Sequence, residues 1–130
     1  KNYRIKFLKK NQSWSKDVPL LSDLLTTDEK YRVTIENYLE NYLNYYVVDT
    51  AQEAISAIQL LSDAARGKAN FFILEEFEKF SPSKVQAFPN ALAATKIIEF
   101  EAKYSRLINY ILDNVYIVQG DYPDFPALCV

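Results

Sequence analysis

Two stretches of the chain carry the same order of apolar and polar positions. The first, 24–48, reads LLTTDEKYRVTIENYLENYLNYYVV, and the second, 97–118, reads IIEFEAKYSRLINYILDNVYIV. Residues of the first stretch match those 73 positions later. The closing apolar residues match at an offset of 70 instead, because the second stretch is three residues shorter. Each copy predicts a short apolar strand, a helix opened by charge and tyrosine, and a second apolar strand. The repeat predicts that 24–48 and 97–118 superpose through a pseudo-two-fold rotation, unless two amphipathic helices merely look alike.

The first half of the chain predicts two helices and three strands. Leu20–Leu25 follows Pro19 as an apolar strand, Thr26–Glu29 opens a helix, and 45–48 is a buried strand. Thr50–Glu53 has the spacing of a capping box, and Asn70–Leu74 is a strand. The first helix is expected to present one face formed by Tyr31, Ile35, Tyr38, Leu39, Tyr42 and Leu43. The second is expected to bury Ala54, Ile55, Ala57, Ile58, Leu61, Ala64 and Ala65, and to end at Gly67.

The second half begins after a charged, proline-spaced connector at 77–90. A leading strand is expected within 92–100, and a helix begins at Phe100 or Glu101. Its apolar face is Tyr104, Leu107, Ile108, Ile111 and Leu112. Residues 115–118 form the closing strand, 120–126 a turn, and 127–130 the start of a further element.

Size and composition predict one domain of ordinary globular character. The chain has 130 residues, of which 49% are hydrophobic and 25% charged. No apolar run approaches the roughly 20 residues of a membrane helix, and no apolar segment follows the basic start as in a signal peptide. A single cysteine, Cys129, excludes an internal disulfide and favours a reducing compartment. Because the chain opens on Lys1 rather than Met, we expect it to be a piece of a longer protein.

Charge is distributed unevenly along the chain. Residues 1–16 carry six basic residues and no acid, whereas the remainder carries nine basic and seventeen acidic residues. Phosphate would be repelled by the acidic remainder, so only the N-terminal arm could attract nucleic acid. The arm is either a patch that contacts DNA or a solvated basic terminus.

The residue types that most enzymes use are missing. There is no histidine, and one cysteine cannot build a zinc site with the usual ligands. The two glycines lie 53 residues apart, which excludes glycine-rich phosphate loops. Two carboxylate pairs, Glu75/Glu76 and Glu99/Glu101, lie in charged segments that are expected to be solvated. We expect no catalytic site, no metal, no cofactor, no small-molecule substrate and no membrane partner.

Tyrosines are dense around the end of the first copy, at Tyr38, Tyr42, Tyr45 and Tyr46. Aromatic side chains form platforms on which single-stranded nucleic acid stacks. The same spacing also suits a core or a protein interface, which is the interpretation that we favour.

Three segments, taken in order, resemble the hinge domain of structural maintenance of chromosomes (SMC) proteins. They are 18–61, RGKANFFIL at 66–74, and 97–118. The resemblance covers about residues 17–118 and favours the bacterial members of the family. It implies an α+β, SMC-hinge-like fold of two pseudo-symmetric strand–helix–strand subdomains, in agreement with the repeat.

The chain also departs from the family pattern. Hinges usually have glycine after each helix, where this chain has Glu40-Asn41 and Asp113-Asn114. A final strand and a glycine-rich dimer segment are expected after Val130, and without them self-association of the chain alone is in doubt.

The resemblance implies a division into an arm at 1–16, where a coiled coil would enter, subdomain I at 17–76, a connector at 77–90 and a truncated subdomain II at 91–130. It implies a homodimerisation hinge of a chromosome segregation and condensation ATPase, cytoplasmic and nucleoid-associated, whose ATP-binding head is absent here. Two hinges would join head to tail and close a ring of coiled-coil arms that holds DNA. The candidates for weak, non-specific DNA contact are Lys1, Arg4, Lys6, Lys9 and Lys10. The candidates for the dimer interface are Lys68, Asn70, Phe71, Phe72 and Ile73.

Two other hypotheses remain open at this point. One is a stand-alone nucleic-acid-binding module that uses the basic arm and the tyrosines. The other is a small α+β enzyme, which the missing histidine, glycine and cysteine disfavour. Heptad repeats that flank this chain on both sides in its parent protein would favour the hinge over the nucleic-acid-binding module.

Overall fold

The computed structural model describes residues 18–63, 69–118 and 127–129. The strands in these ranges are β1 (Thr26–Thr27), β2 (Tyr46–Val48), β3 (Phe71–Ile73), β4 (Ala91–Ala93), β5 (Ile98–Glu99), β6 (Tyr116–Val118) and β7 (Ala127–Cys129). The α-helices are α1 (Glu29–Tyr38), α2 (Ala51–Asp63) and α3 (Ser105–Ile111). Four 3₁₀ turns lie at Leu21–Leu24, Leu74–Phe77, Ala94–Lys96 and Ala102–Tyr104. Within the described ranges, no helix is both long and apolar enough to cross a bilayer.

The described residues fall into two compact units. Unit 1 contains the described residues of 1–24 and 42–78, and unit 2 those of 25–41 and 79–130. The sequence division placed all of 17–76 in one subdomain, whereas the contacts of α1 put this helix in unit 2. The limits of the two hinge subdomains themselves stay a prediction.

Unit 1 is built around β2, whose three residues are all buried. On one edge, β2 pairs in parallel with β3, in the register Tyr46↔Phe71. On the other edge, Val47 N donates to the Pro19 carbonyl oxygen and Leu21 N donates to the Tyr45 carbonyl oxygen, both at 2.9 Å. The β2 main chain is therefore hydrogen-bonded on both sides, which a buried strand requires.

Unit 2 is built around β6 in the same way. This strand is fully buried, and it lies between β4, which is antiparallel to it, and β7, which is parallel. Leu107, Ile108 and Leu112 are at most 1% exposed. Each such side chain contributes roughly 1.5–3 kcal/mol when it leaves water. The helix α1 lies against β7.

The two copies of the repeat contain the same hydrogen bonds. The Leu21 N to Tyr45 O bond of the first copy corresponds to Ala94 N to Val115 O in the second, also 2.9 Å long. At the helix ends, Leu39 N to Ile35 O corresponds to Leu112 N to Ile108 O, both 3.0 Å. Both copies run strand, helix, strand, as expected, and the repeat extends back through the preceding 3₁₀ turn. The rotation that relates them stays a prediction.

The leading strands of the two copies pair with each other inside unit 2. The β1–β5 ladder is antiparallel, and Thr26 lies opposite Glu99, its own counterpart in the repeat. A two-fold axis through this pair would produce that register. The Thr27 hydroxyl donates to the Ile97 carbonyl oxygen at 2.6 Å, which ties the two leading segments together.

The connector is extended, and residues 81–87 are all exposed. Three side chains of unit 2 hold it. Asp113 accepts from both the main-chain N and the hydroxyl of Ser83 at 2.8 Å, and the Tyr116 hydroxyl accepts from Gln86 N at 2.9 Å. Arg106 donates to the Phe80 carbonyl oxygen at 3.1 Å. A cavity of about 190 Å³ lies beneath Pro82–Val85.

Several predictions about the leading segments and the helices were wrong. Leu20–Leu25 is not a strand, because the Asp23 carboxylate accepts from Leu20 N at 2.9 Å and closes a 3₁₀ turn. The second leading segment is likewise divided into β4 and β5 by a 3₁₀ turn. The third α-helix begins at Ser105, after a further 3₁₀ turn, rather than at Phe100 or Glu101.

Helix lengths and faces also differ from the sequence pattern. The helix α1 ends at Tyr38, so Tyr42 and Leu43 lie beyond it, and Tyr38 is exposed. In α2, Ala54 and Ala57 are buried as predicted, but Ile55 and Ile58 are about half exposed. The short alanines allow α2 to pack closely, and the branched side chains between them then point outward. The residues predicted to close α2, including Gly67, and the turn at 120–126 lie outside the described residues.

The predicted capping box at the start of α2 is confirmed. Glu53 N lies 3.4 Å from the Thr50 hydroxyl oxygen, and the Glu53 carboxylate accepts from Asp49 N and Thr50 N at 2.9 and 3.2 Å. The Glu75 carboxylate accepts from Ala51 N at 2.8 Å. Two donors of the first turn, Ala51 N and Glu53 N, are thus satisfied from within unit 1.

We predict that Thr50→Ala lowers the free energy of unfolding by about 1 kcal/mol, because it removes one half of the reciprocal cap. Chemical denaturation followed by circular dichroism measures the change. Ser56→Ala, which also removes an exposed hydroxyl from α2, is the matched control and should have little effect. Equal losses in the two variants would show that the cap contributes no stability.

Asn114 occupies a left-handed conformation, with φ at 60°. Glycine adopts this conformation without a steric penalty, so Asn114→Gly should preserve stability, and Asn114→Ala should lower it by about 1–2 kcal/mol. Its counterpart Asn44 has no positive φ, which makes Asn44→Ala the matched control. If Asn114→Ala were as stable as Asn44→Ala in urea denaturation, backbone strain would not explain the asparagine.

Candidate functional site

One edge of β3 has no partner strand among the residues that the structure describes. The two-stranded sheet of unit 1 consists of β2 and β3, so within the described ranges no strand pairs with the far side of β3. Tyr46 N donates to the Asn70 carbonyl oxygen at 2.9 Å. Main-chain direction alternates along a strand, so the N–H and C=O groups of Phe71 and Ile73 point away from β2. They offer a second strand a row of hydrogen-bonding groups.

The two faces of β3 have different surroundings. Phe71 and Ile73 pack against the core residues of unit 1, Val18, Tyr46, Val48 and Ala54. The rings of Phe71 and Tyr46 are stacked, with centroids 5.7 Å apart. Burial raises the pKa of the Tyr46 hydroxyl to about 12. Phe72, between them in sequence, points to the opposite face of the sheet.

Phe72 is the centre of a group of four rings, which we call the aromatic cluster: Tyr42, Tyr45, Phe72 and Phe77. The Phe72 centroid lies 4.8 Å from Tyr45, 5.8 Å from Tyr42 and 6.3 Å from Phe77. Tyr42 also contacts Tyr45 edge to face at 5.3 Å. Tyr42 is 40% exposed, and the other three rings are half-buried. The cluster is therefore a surface feature on the outer face of β3.

The described part of unit 1 is strongly acidic. Among the side chains that the structure describes, it carries no base and six acids: Asp23, Asp49, Glu53, Glu75, Glu76 and Glu78. Unit 2 is balanced over the same described ranges, with seven acids and the seven bases Lys30, Arg32, Lys79, Lys84, Lys96, Lys103 and Arg106. These six carboxylates would repel phosphate and attract a cationic or neutral partner.

The ion pairs of α1 have no part in this surface. Arg32 bonds Glu29 at 2.7 Å and Glu36 at 3.1 Å along the exposed side of the helix. The Arg32 guanidinium lowers the pKa of the Glu29 carboxyl by hydrogen bonding and by charge. Such exposed pairs contribute little stability.

The predicted site residues have different outcomes. Among the described residues, β3 is an edge strand formed by Phe71, Phe72 and Ile73, and Asn70 directly precedes it. The contact of these four residues with a second chain stays a prediction. Lys68 and the five DNA candidates Lys1, Arg4, Lys6, Lys9 and Lys10 lie outside the described residues.

The tyrosine-rich segment was not assigned to the site, and the structure divides it. Tyr46 is in the core, whereas Tyr42 and Tyr45 join Phe72. The only signal in the sequence was the density of tyrosine, which does not show that Phe77 belongs with it. No group of three or more metal-binding side chains occurs within the described ranges.

Comparison with known proteins identifies the family of this chain. The sequence profile of the flexible hinge domain of SMC proteins matches residues 15–120. Chromosome partition protein Smc of Chlorobaculum tepidum is 28% identical over 114 residues, and that of Methanocaldococcus jannaschii is 27% identical over 133. The alignments cover 88% and 92% of this chain, but only 10% and 11% of those proteins.

Solved hinge structures have the same fold. The hinge domain of the Pyrococcus furiosus SMC protein superposes with a TM-score of 0.72 at 25% identity, over 89% of this chain and 62% of that one. An asymmetric dimer of the Geobacillus stearothermophilus SMC hinge domain gives a TM-score of 0.75 at 22% identity, over 88% and 48%. The α+β fold predicted from the resemblance is confirmed, and a bacterial origin stays a prediction. By its sequence profile and its fold, the chain belongs to the SMC flexible hinge domain family.

Proposed function

We propose that this chain is the dimerisation hinge of an SMC chromosome partition protein. The observation that carries the proposal is the open edge of β3, with the main-chain groups of Phe71 and Ile73 directed outward. An unpaired edge strand is a template for strand addition by another chain. The Geobacillus stearothermophilus relative is described as a dimer, which supports the same assembly here.

Charge favours a head-to-tail arrangement of the two copies. The described side chains of unit 1 include six acids and no base, so placing these side chains of unit 1 against those of a second unit 1 would bring like charges together. Unit 2 of a second copy has seven bases and seven acids among its described residues, so it would avoid this repulsion. Unit 1 of each copy is therefore expected to bind unit 2 of the other, as the family resemblance implied.

In the parent protein the role of the hinge is mechanical. Its relatives are about ten times longer than this chain, since the match covers 10–11% of their length. The hinge would join two coiled-coil arms and, with a second copy, close a ring that holds DNA. The ATPase activity would belong to a head elsewhere in the parent, and the hinge itself would use no cofactor or catalytic group. We place the complex on the nucleoid, in the cytoplasm.

The dimer is tested first by amide hydrogen exchange. The sample is a longer piece of the parent protein that includes this chain. NMR compares its amide exchange at protein concentrations below and above the dissociation constant of the dimer. The amides of Phe71 and Ile73 should exchange more slowly in the dimer because a partner strand accepts their hydrogen bonds. The Phe72 amide, which is directed towards β2, is the internal control and should change little.

Sedimentation of a variant provides a second measure. Phe72→Glu introduces a charge on the outer face of β3 and should weaken the dimer, whereas Val85→Glu, in the exposed connector, should not. A Phe72→Glu protein that stays folded and dimeric, with no protection of the Phe71 and Ile73 amides, would remove β3 from the interface.

DNA contact by the basic arm is tested separately. Binding of duplex DNA should be weak and insensitive to sequence, and should fall with salt by a slope of about 0.9 per phosphate contact on a double-logarithmic plot. Replacing Lys1, Arg4, Lys6, Lys9 and Lys10 by Gln should abolish it without changing the melting temperature. A matched control replaces five exposed lysines outside the arm by Gln, namely Lys30, Lys79, Lys84, Lys96 and Lys103.

Fluorescence anisotropy of a labelled DNA duplex measures the DNA affinity of the arm variant and of the control variant. If the control loses DNA binding and the arm variant retains it, the arm is not the contact surface. Binding that survives both changes would support the tyrosines instead, and with them a nucleic-acid-binding module.

A further inference from the structure

We infer that the aromatic cluster is the side-chain anchor by which unit 1 binds a second copy of this chain. The inference rests on the proposed dimer and goes beyond it. The edge of β3 supplies main-chain hydrogen bonds, which do not distinguish one strand from another. The cluster would supply the affinity and the specificity of the contact.

The cluster has the composition and placement of an interface anchor. It consists of two tyrosines and two phenylalanines, and aromatic residues dominate the energetically important positions of protein interfaces. The rings support one another, since Phe72 lies within 4.8–6.3 Å of the other three centroids. A rigid group of rings loses little conformational entropy on binding. Tyr42, the outermost ring, is 40% exposed and keeps a polar hydroxyl for the rim.

The same partner strand that pairs with β3 would cover the cluster. A strand added to the open edge lies about 4.8 Å from β3. Its side chains alternate between the two faces, so those on the face of Phe72 come to rest about 5 Å from that ring. The cluster is therefore continuous with the strand edge, and one second copy can occupy both.

Charge argues against nucleic acid as the occupant. Phe77 lies in a 3₁₀ turn that also carries Glu75 and Glu76, and Glu78 follows directly. Phosphates drawn along these rings would meet a surface on which the described side chains of unit 1 provide six acids and no base. Base stacking on tyrosines usually occurs in a positively charged groove, which is the opposite of this environment.

The test compares two tyrosines in matched surroundings. Tyr42 contacts Tyr45 edge to face at 5.3 Å, and Tyr110 contacts Phe80 edge to face at 5.3 Å, with exposures of 40% and 52%. Tyr42→Ser and Tyr110→Ser are made in the chain extended into its parent protein, and sedimentation equilibrium gives the dimer dissociation constant. We expect Tyr42→Ser to raise it roughly thirty-fold and Tyr110→Ser to raise it less than about three-fold. Amide exchange of Phe71 and Ile73 is measured on the same samples.

The outcomes distinguish the two proposals, which are the aromatic anchor and the strand pairing at β3. Equal effects of the two variants, with the edge amides protected in the dimer, would overturn the anchor and leave the strand pairing intact. A selective effect of Tyr42→Ser without edge protection would support the anchor and overturn the strand pairing. If Tyr42→Ser has no selective effect and the edge is not protected, both fall. Binding of a labelled oligothymidine that Tyr42→Ser abolishes would overturn the anchor, since the cluster would then be a nucleic-acid platform.

Discussion

Each half of this domain depends on a buried strand of three residues whose two edges must both be hydrogen-bonded. In β2 and β6 all three residues are inaccessible to water, so every main-chain group needs a protein partner. The chain meets this demand identically in both halves, with an antiparallel segment on one side and a parallel strand on the other. The parallel partners, β3 and β7, are the outermost strands of their sheets in the described chain, and the dimer surface that we propose depends on the position of β3.

Features that depend on neighbours close in sequence could be predicted. The capping box at Thr50–Glu53 needs only residues three positions apart, and the closing strands are visible as dense runs of apolar side chains. The repeat was visible for the same reason, because equivalent hydrogen bonds favour equivalent residue types. These local patterns were enough to predict an α+β domain with two strand–helix–strand units.

Features that depend on contacts between distant segments could not be predicted from the sequence. The leading segment looks like a strand at Leu20–Leu25 because its composition is apolar, yet the Asp23 side chain turns it. Helical periodicity continues past Tyr38, but nothing in the spacing shows that the chain leaves for a different unit after residue 41. The strand β3 was predicted, whereas the association of Phe72 with Tyr42 and Tyr45 requires segments about 30 residues apart in sequence to meet.

The assignment of α1 to unit 2 affects what a break in the main chain would do. The connector at 77–90 is the covalent link that precedes β4, and a single cut in its exposed residues 81–87 would divide the polypeptide into an N-terminal and a C-terminal piece. Unit 2 would then be assembled from both pieces, since the N-terminal piece contributes β1 and α1 and the C-terminal piece contributes β4 to β7. The β1–β5 ladder and the Thr27 to Ile97 bond would join the pieces without a peptide link. A nicked hinge would therefore behave as a complemented pair of fragments, and the two pieces would stay connected by packing and hydrogen bonds alone.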